Sequence, residues 1–241
     1  MDDKENVRRK VWIKLHAVAR PDSRFHWDFN RFIPDFDGSA TCAEVICGTP
    51  AYRRAERVLV TPDNSLAGFR ARCIADGKTL IVPTYSVARG LQSLNRETVP
   101  TGQEAFAATL DGLDVFGLPY LISIKDRPQG PQLMVTGASV LNLQGVRISN
   151  GPSFFDLEWL ILSSLGLADD QTPILAAVHD CQLVDFSCPP LPYGVGIDQI
   201  ITPTRRLDIG RPYPRPSPSS IKTLPRQITQ DIPLLHELAE Q

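Results

Sequence analysis

Apolar residues in this chain occur in two recurring patterns, short continuous runs and helical spacings. Continuous apolar runs of four to seven residues, bounded by Gly, Pro, Asn or Asp, are typical of strands whose two faces are both buried. Residues recurring at spacings of three and four are typical of helices, as in Val7, Val11, Leu15 and Val18. Strands are predicted at 57–61, 79–83, 120–124, 133–136, 138–143, 173–179 and 199–202, and helices at 4–20, 39–49, 65–74, 159–165 and 231–240.

Apolar strands that alternate with helices predict an α/β fold. Such a chain forms an open, mostly parallel sheet covered by helices on both faces. The pattern changes after Leu207, where Pro212, Pro214, Pro216 and Pro218 alternate with other residues. This spacing is typical of an extended, polyproline-like linker.

The sequence therefore predicts an α/β domain over residues 1–208 and a Pro-rich linker with a short C-terminal helix over 209–241. The leucines of that helix would form an exposed apolar cluster if it docked on nothing. Docking on its own core and docking on a second subunit are both open.

Composition excludes several classes of protein. A net charge of -2 disfavours bulk electrostatic binding of nucleic acid, which needs a basic field. No apolar run approaches the roughly 20 residues of a transmembrane helix, so we expect no membrane partner. The first residues lack the apolar core of a signal peptide, which favours the cytoplasm. A homodimer is the default assembly.

Cysteine and histidine spacing gives no sign of a transition-metal site. The five cysteines include no CxxC pair, and their odd number fits no closed disulfide framework. The four histidines form no HExxH pattern. Buried free thiols are the expected state of the cysteines.

The strongest chemical signal is the segment 145–158, with the sequence GVRISNGPSFFDLE. It joins a predicted strand to a predicted helix. Backbone N–H groups and the helix dipole favour anions at such a junction, and Arg147 could add a fork of donors. The alternative is a plain strand-to-helix turn that binds nothing.

That segment resembles the Gly-x-Arg-x-Gly-x-Gly-x-Gly-Tyr-x-Asp loop of the 5-formyltetrahydrofolate cyclo-ligase family, also called methenyltetrahydrofolate synthetase. Ser149, Ser153 and Phe154 stand where the family has Gly, Gly and Tyr. Similar blocks extend over residues 4–207, and they are closest to a branch with archaeal and bacterial members. They include 32–39, Pro62-Asp63, Arg70, Gly77-Lys78, 172–173, 178–180 and 198–203.

The resemblance implies a three-layer α/β/α Rossmann-like fold, of the type shared with ribose-phosphate isomerases and CoA transferases. It implies an ATP- and Mg²⁺-dependent ligase that converts 5-formyltetrahydrofolate to 5,10-methenyltetrahydrofolate, or acts on a related N-acyl substrate. A divergent member without ATP turnover, binding folate or nucleotide or serving a specialised biosynthetic pathway, is an alternative that the altered loop motivates. An interaction module acting through the Pro-rich tail is a second alternative.

The resemblance also implies a set of site residues. Catalysis is assigned to Arg147 and His179, substrate binding to Phe32, Phe36 and Arg70, and the metal to Asp156. ATP binding is assigned to Lys4, Arg8, Gly145, Arg147, Ser149, Asn150, Gly151, Ser153 and Phe154.

Each assignment has a structural alternative. Asp156 is also well placed to complement the helix dipole, and Lys4 and Arg8 to lie on a solvated helix face. The aromatic rings could stack on a flat ligand or pack in the core. His179 ends a buried strand, at the edge of an α/β sheet where ligands bind, but a structural histidine is also expected there. Glu158 is interpreted as structural or solvated.

Overall fold

The computed structural model describes residues 3–84, 87, 89–120, 122–123, 125, 127–149 and 151–240. The helices are α1 (Asp3–Leu15), α2 (Ser39–Cys47), α3 (Pro50–Arg54), α4 (Ala67–Ala75), α5 (Glu104–Ala107), α6 (Leu110–Phe116), α7 (Phe154–Ser164), α8 (Arg226–Asp231) and α9 (Pro233–Ala239). The strands are β1 (Ala19–Arg20), β2 (Asp35–Phe36), β3 (Arg57–Val60), β4 (Thr79–Pro83), β5 (Leu91–Leu94), β6 (Leu118–Tyr120), β7 (Leu133–Thr136), β8 (Leu141–Asn142), β9 (Ile174–Ala177), β10 (Leu183–Val184), β11 (Gln199–Ile201) and β12 (Arg206–Asp208).

Eight strands of the described part of the chain form one mixed sheet, in the order β12-β11-β9-β7-β3-β4-β5-β6. The central strands β11, β9, β7, β3 and β4 pair in parallel. Antiparallel pairs occur only towards the two edges of this sheet. Helices flank the sheet, so the predicted α/β fold with a largely parallel core is confirmed.

Both faces of the central strands are buried, as the continuous apolar runs predicted. Successive strand side chains point to opposite faces, so neighbours along β3 enter different cores. Leu59 packs in the core that contains α7 and α9, whereas Val58 and Val60 pack in the core that contains α2 and α4. All three side chains are fully buried, which is why β3 shows no polar alternation.

Several element boundaries differ from the sequence predictions. Helix α1 ends at Leu15 because Ala19 and Arg20 pair with β2. β5, α5 and α6 were not predicted. β6 meets the predicted strand 120–124 only at Tyr120; Ile122 and Ser123 are not in a strand, and residues 121 and 124 lie outside the described residues.

The C-terminal segment packs on the protein's own core. Ile221, Leu224, Ile232, Leu235 and Leu238 are buried in the core beside α7. Docking on its own core is therefore the alternative that this segment adopts. The predicted boundary after residue 208 stays a prediction, although the segment beyond it shares this core.

Polar contacts tie the same segment to α7 and to the sheet. Arg215 forms an ion pair with Asp198 and lies over the Trp159 ring, 4.7 Å from its centroid. The indole N–H of Trp159 donates a hydrogen bond to the Pro216 carbonyl at 3.1 Å. Among the described residues, no helix has the length and apolar character needed to cross a membrane.

Candidate functional site

A cleft of about 350 Å³ opens at the carboxyl edge of the sheet. Thr61 and Asp63 line it just after β3, Thr84 just after β4, and Thr136 and Gly137 at the end of β7. The chain runs from β3 to β4 on one side of β3 and later returns to β7 on the other. The loops diverge at such a reversal and leave a crevice where ligands of α/β proteins bind.

The predicted anion loop forms one wall of this cleft. Arg147, Ser149, Gly151, Ser153 and Phe154 all line it. The Ser149 hydroxyl donates to the Gly151 carbonyl at 2.6 Å, and the Phe154 ring is 46% exposed. Asn150 lies outside the described residues.

Gly145 stands apart from the cleft and has a structural role. Its φ is +76°, and a Cβ there would lie 2.7 Å from the Ile197 carbonyl oxygen. Positive φ and this close approach both require glycine. Both Gly145 and Gly151 match the family motif. Gly145 shapes the turn, whereas Gly151 lines the cleft.

Arg147 lies at the base of the loop wall. Its Nη2 forms a buried ion pair with Asp156, and its guanidinium carbon lies 4.8 Å from the centroid of the Phe155 ring. Its Nε and Nη1 have no hydrogen-bond partner among the described residues. Arg147 therefore retains donors that a ligand in the cleft could use.

Asp156, the predicted metal ligand, is engaged by its own chain. It accepts hydrogen bonds from the N–H and the hydroxyl of Ser153, both at 2.8 Å, and from the N–H of Val195 at 3.0 Å, besides Arg147. Ser153 and Asp156 form a capping box at the start of α7, as expected of a first-turn acid. A divalent cation would have to displace these donors, and the metal role stays a prediction.

The described residues contain no cluster of three or more His, Cys, Asp or Glu side chains suited to a metal ion. Hard cations that bridge phosphates use only one or two protein carboxylates, so this finding leaves magnesium binding untested.

Arg70, assigned to the substrate, is a structural residue of the neighbouring loop. It is 1% exposed and does not line the cleft. Its guanidinium donates to the carbonyls of Thr61, Asp63 and Ala108 at 2.7–2.8 Å. Burial lowers the pKa of Arg70 to about 10. Arg70 fixes the backbone that presents Asp63 to the cleft.

Asp63 is a cleft residue that the site assignment missed. Its Oδ2 accepts hydrogen bonds from the Thr61 hydroxyl and from the N–H of Gly137, the latter at 2.8 Å. A Cβ at Gly137 would lie 2.9 Å from this oxygen, so glycine permits the contact. Burial raises the pKa of Asp63. The sequence signal that could have identified Asp63 as a cleft residue was its position directly after a buried strand.

Glu158 is the second acid that sequence reasoning missed. It borders the cleft and is 2% exposed, so it is not solvated, and its Oε2 has no hydrogen-bond partner among the described residues. Burial, together with the Asp63 and Asp156 carboxylates, raises the pKa of Glu158 well above its usual range. The signal was present in the sequence, since Glu158 follows the capping acid Asp156 within the apolar run 154–162 and has no polar helix face to occupy.

Aromatic rings also line the cleft. Phe32 lines the cleft and stacks on Phe25 with ring centroids 5.2 Å apart. Phe36 is fully buried and contacts His179 edge-on at 5.7 Å. His179 does not line the cleft: its N–H donates to Gln182 and its Nδ1 caps a short 3₁₀ turn. The structure therefore brings Phe32 to the cleft but not Phe36 or His179.

Basic side chains surround the mouth of the cleft. Arg8 lines it, donates to Asn30 at 3.1 Å and lies over the Trp12 ring. Arg31 lines it as well and lies over Phe25. Lys4 lies one turn before Arg8 on α1 and does not line the cleft.

The fold and the cleft define an α/β protein with a cleft of ligand size at the carboxyl edge of its sheet. Comparison with known sequences gives the particular group. The chain belongs to the 5-formyltetrahydrofolate cyclo-ligase family, whose model matches residues 1–203.

The curated relatives are longer proteins. The chain is 30% identical over 240 residues to a methenyltetrahydrofolate synthase domain-containing protein of Homo sapiens, covering 98% of this chain and 61% of that protein. A Danio rerio protein of the same description is 29% identical over 244 residues, covering 98% and 62%. The chain thus spans less than two thirds of their length.

A solved structure agrees on the fold. The NMR structure of Aquifex aeolicus 5,10-methenyltetrahydrofolate synthetase superposes with a TM-score of 0.54 at 13% identity, covering 88% of this chain and 95% of that one. At this identity the likeness concerns architecture alone.

Proposed function

We propose that this chain catalyses ATP-dependent closure of 5-formyltetrahydrofolate to 5,10-methenyltetrahydrofolate, or the same closure on a related N-acyl substrate. One observation carries the proposal: Arg147 borders the cleft with two guanidinium nitrogens that have no partner among the described residues. Membership of the cyclo-ligase family supports it.

The reaction asks the protein mainly to position charged groups. The formyl oxygen forms a bond to the γ-phosphorus of ATP, and ADP leaves. N10 of the folate then attacks the activated carbon, N10 loses its proton and phosphate leaves. Such transfers are accelerated mostly by orientation and charge stabilisation.

The cleft offers groups for these tasks. Arg147 would donate its free N–H groups to phosphoryl oxygens, and Arg8 would attract anionic groups at the mouth. The stacked Phe25 and Phe32 would form an apolar wall for the ring of the folate. Asp63 would accept an N–H of the substrate. No step is assigned to a metal ion, because the donors around Asp156 already occupy that carboxylate.

The test is growth of the methenyltetrahydrofolate absorbance band with protein, 5-formyltetrahydrofolate, ATP and magnesium. Arg147→Lys retains the charge facing Asp156 but removes the fork of donors, so we expect at least about a tenfold loss of rate. Arg206→Lys, on an exposed residue of β12, is the matched control and should keep full activity. A band that never grows with folded protein would refute the closure of 5-formyltetrahydrofolate by this chain.

A second candidate is a family member that binds folate or nucleotide without ATP turnover. The observation that favours it is the Arg147–Asp156 ion pair, which occupies part of the guanidinium in a loop with two serines in place of glycines. A ligand-dependent rise in melting temperature without release of ADP would identify it. The tail-based interaction module loses support, because the leucines it would use are buried in the protein's own core.

A further inference from the structure

Asp63, Arg147 and Glu158, here called the floor, line the cleft, and Asp156 forms an ion pair with Arg147. Glu158 is 2% exposed, borders the cleft and has an oxygen with no partner in the described part of the chain. A buried polar atom without a partner is costly, and native proteins retain few of them. An unsatisfied carboxyl at a cleft is explained by a ligand that supplies the missing hydrogen bonds.

The charges on the cleft floor select the kind of ligand. Asp63 and Asp156 both disfavour further negative charge near Glu158, and Arg147 alone counteracts them. That guanidinium is already paired with Asp156. At Glu158 itself a neutral group with N–H donors is favoured over an anion, whereas phosphoryl oxygens would be held by the unpartnered Nε and Nη1 of Arg147. A carboxyl group keeps an acceptor oxygen whether or not it is protonated.

The shape of the cleft selects a flat ligand. Phe25 and Phe32 stack along one wall, and Phe155 lies under Arg147. A planar ring that stacks on one of these aromatic rings can present its edge to the polar residues that line the cleft. An amino group on that edge matches the one Glu158 oxygen that has no partner in the described part of the chain.

We propose that Glu158 is a specificity-determining residue whose unpartnered oxygen accepts a hydrogen bond from the 2-amino group of a 2-amino-4-oxopyrimidine ring. Reduced pterins carry this edge, and guanine carries the equivalent one. The inference rests on the proposed function in taking the cleft as the substrate site. It adds that the pyrimidine end of the substrate lies deepest.

The experiment measures equilibrium binding of matched ligands by fluorescence titration. Pterin-6-carboxylate carries the 2-amino group, and lumazine-6-carboxylate has a carbonyl in its place. Guanosine and inosine form a second pair, because inosine lacks the 2-amino group. The proteins are wild type, Glu158→Gln and the control Glu237→Gln, which changes an exposed acid on α9.

We expect wild type and Glu237→Gln to bind at least one 2-amino ligand at least about tenfold more tightly than its partner, which is the loss usual for one buried hydrogen bond. Glu158→Gln should lose that preference, because its amide can donate to the carbonyl of the lumazine. The inference is overturned if wild type shows no preference in either pair, failure to bind any of the four included. It is also overturned if Glu158→Gln keeps the full preference for pterin over lumazine, the pair in which the amide can bind either ligand.

The outcomes separate this inference from the proposed function. A preference for guanosine that depends on Glu158, in a protein that never produces methenyltetrahydrofolate, would retain the role of Glu158 and refute the cyclo-ligase activity. Normal production of methenyltetrahydrofolate by a protein that shows no preference in either ligand pair would retain the cyclo-ligase activity and refute the role of Glu158.

Discussion

Arg147 and Asp156 lie nine residues apart in sequence and form one buried ion pair. Sequence reasoning gave them separate tasks, phosphate binding and metal binding. Their side chains are only 8% and 5% exposed, so each compensates the buried charge of the other. A buried pair of this kind is strongly destabilised when one partner is removed.

Asp156→Asn should therefore lower the free energy of unfolding by about 3 kcal/mol or more, because it leaves the Arg147 charge buried and uncompensated. Urea denaturation of the variant measures this. Asp114→Asn is the control, since the Arg89–Asp114 pair is exposed and should contribute less than about 1 kcal/mol. Equal losses in the two variants would contradict a special role for the buried pair.

Glu158 predicts a pH dependence of stability. Its pKa is raised in the folded state, so the folded protein holds a proton that the unfolded chain releases above its ordinary pKa of 4.5. Stability must then fall as pH rises from about 4.5 towards the folded pKa. The free energy of unfolding, measured across this pH range, should decrease less with rising pH for Glu158→Gln than for wild type. If the free energies of the two proteins change with pH in parallel, Glu158 does not hold a buried proton.

The two loop glycines should respond differently to alanine. Gly145→Ala forces a Cβ onto a positive φ and against the Ile197 carbonyl, so we expect a loss of about 1–3 kcal/mol. Gly151→Ala meets no atom within 4 Å and should leave stability unchanged. Thermal unfolding of both variants tests this, and weaker ligand binding by Gly151→Ala alone would show that the ligand approaches this backbone closely.

At the scale of elements, α7 connects the cleft to the core. Its first turn is held by the Ser153–Asp156 capping box, and Glu158 follows within the next turn. Residues 155–162 of α7 are all buried, because the sheet covers one side and the C-terminal segment the other. The start of this helix therefore fixes the geometry of the loop wall.

Ser153→Ala removes the cap of α7 and should lower stability by about 1 kcal/mol. Thr109→Ala removes the N-cap of α6, which accepts from the Gly112 N–H, and serves as the matched control away from the loop. We expect similar losses in thermal unfolding but a fall in ligand affinity only for Ser153→Ala. If Ser153→Ala and Thr109→Ala bind the ligand with equal affinity, the cap of α7 does not order the loop that lines the cleft.

At the scale of the whole molecule, the C-terminal segment completes the hydrophobic core beside α7. Leu235 is fully buried there, whereas Leu118 on β6 is 54% exposed. Apolar side chains that follow a Pro-rich stretch are thus part of the main core. The terminal helices stabilise the helix that carries Glu158.

Leu235→Ala should lower the free energy of unfolding by about 2–5 kcal/mol, because it leaves a cavity beneath α7. Leu118→Ala is the exposed control and should change stability little. Chemical denaturation followed by tryptophan fluorescence, to which Trp159 in this region contributes, measures the loss. A small effect of Leu235→Ala would mean that the segment docks only loosely.

Prediction from the sequence succeeded where local pattern determines structure. The runs at β3, β4, β7, β9 and β11 were found because both faces of a central strand are apolar. α5, α6 and β5 were missed because their sequences carry weaker apolar periodicity and their positions depend on partners in the sheet. Of the candidate site, Arg147 and the loop were found from turn chemistry, whereas Asp63 and Glu158 require knowledge of what surrounds them.

The sequence by itself determined the α/β class, the central strands and the loop that forms one wall of the cleft, since these follow from periodicity and from turn residues close together in the chain. Only the tertiary structure decided which side chains face the cleft. It turned Arg70, Phe36 and His179 away from the cleft and paired Asp156 with Arg147. The physical reason is that burial and partnership are set by residues distant in sequence, and the same carboxylate can cap a helix, pair with an arginine or face a ligand.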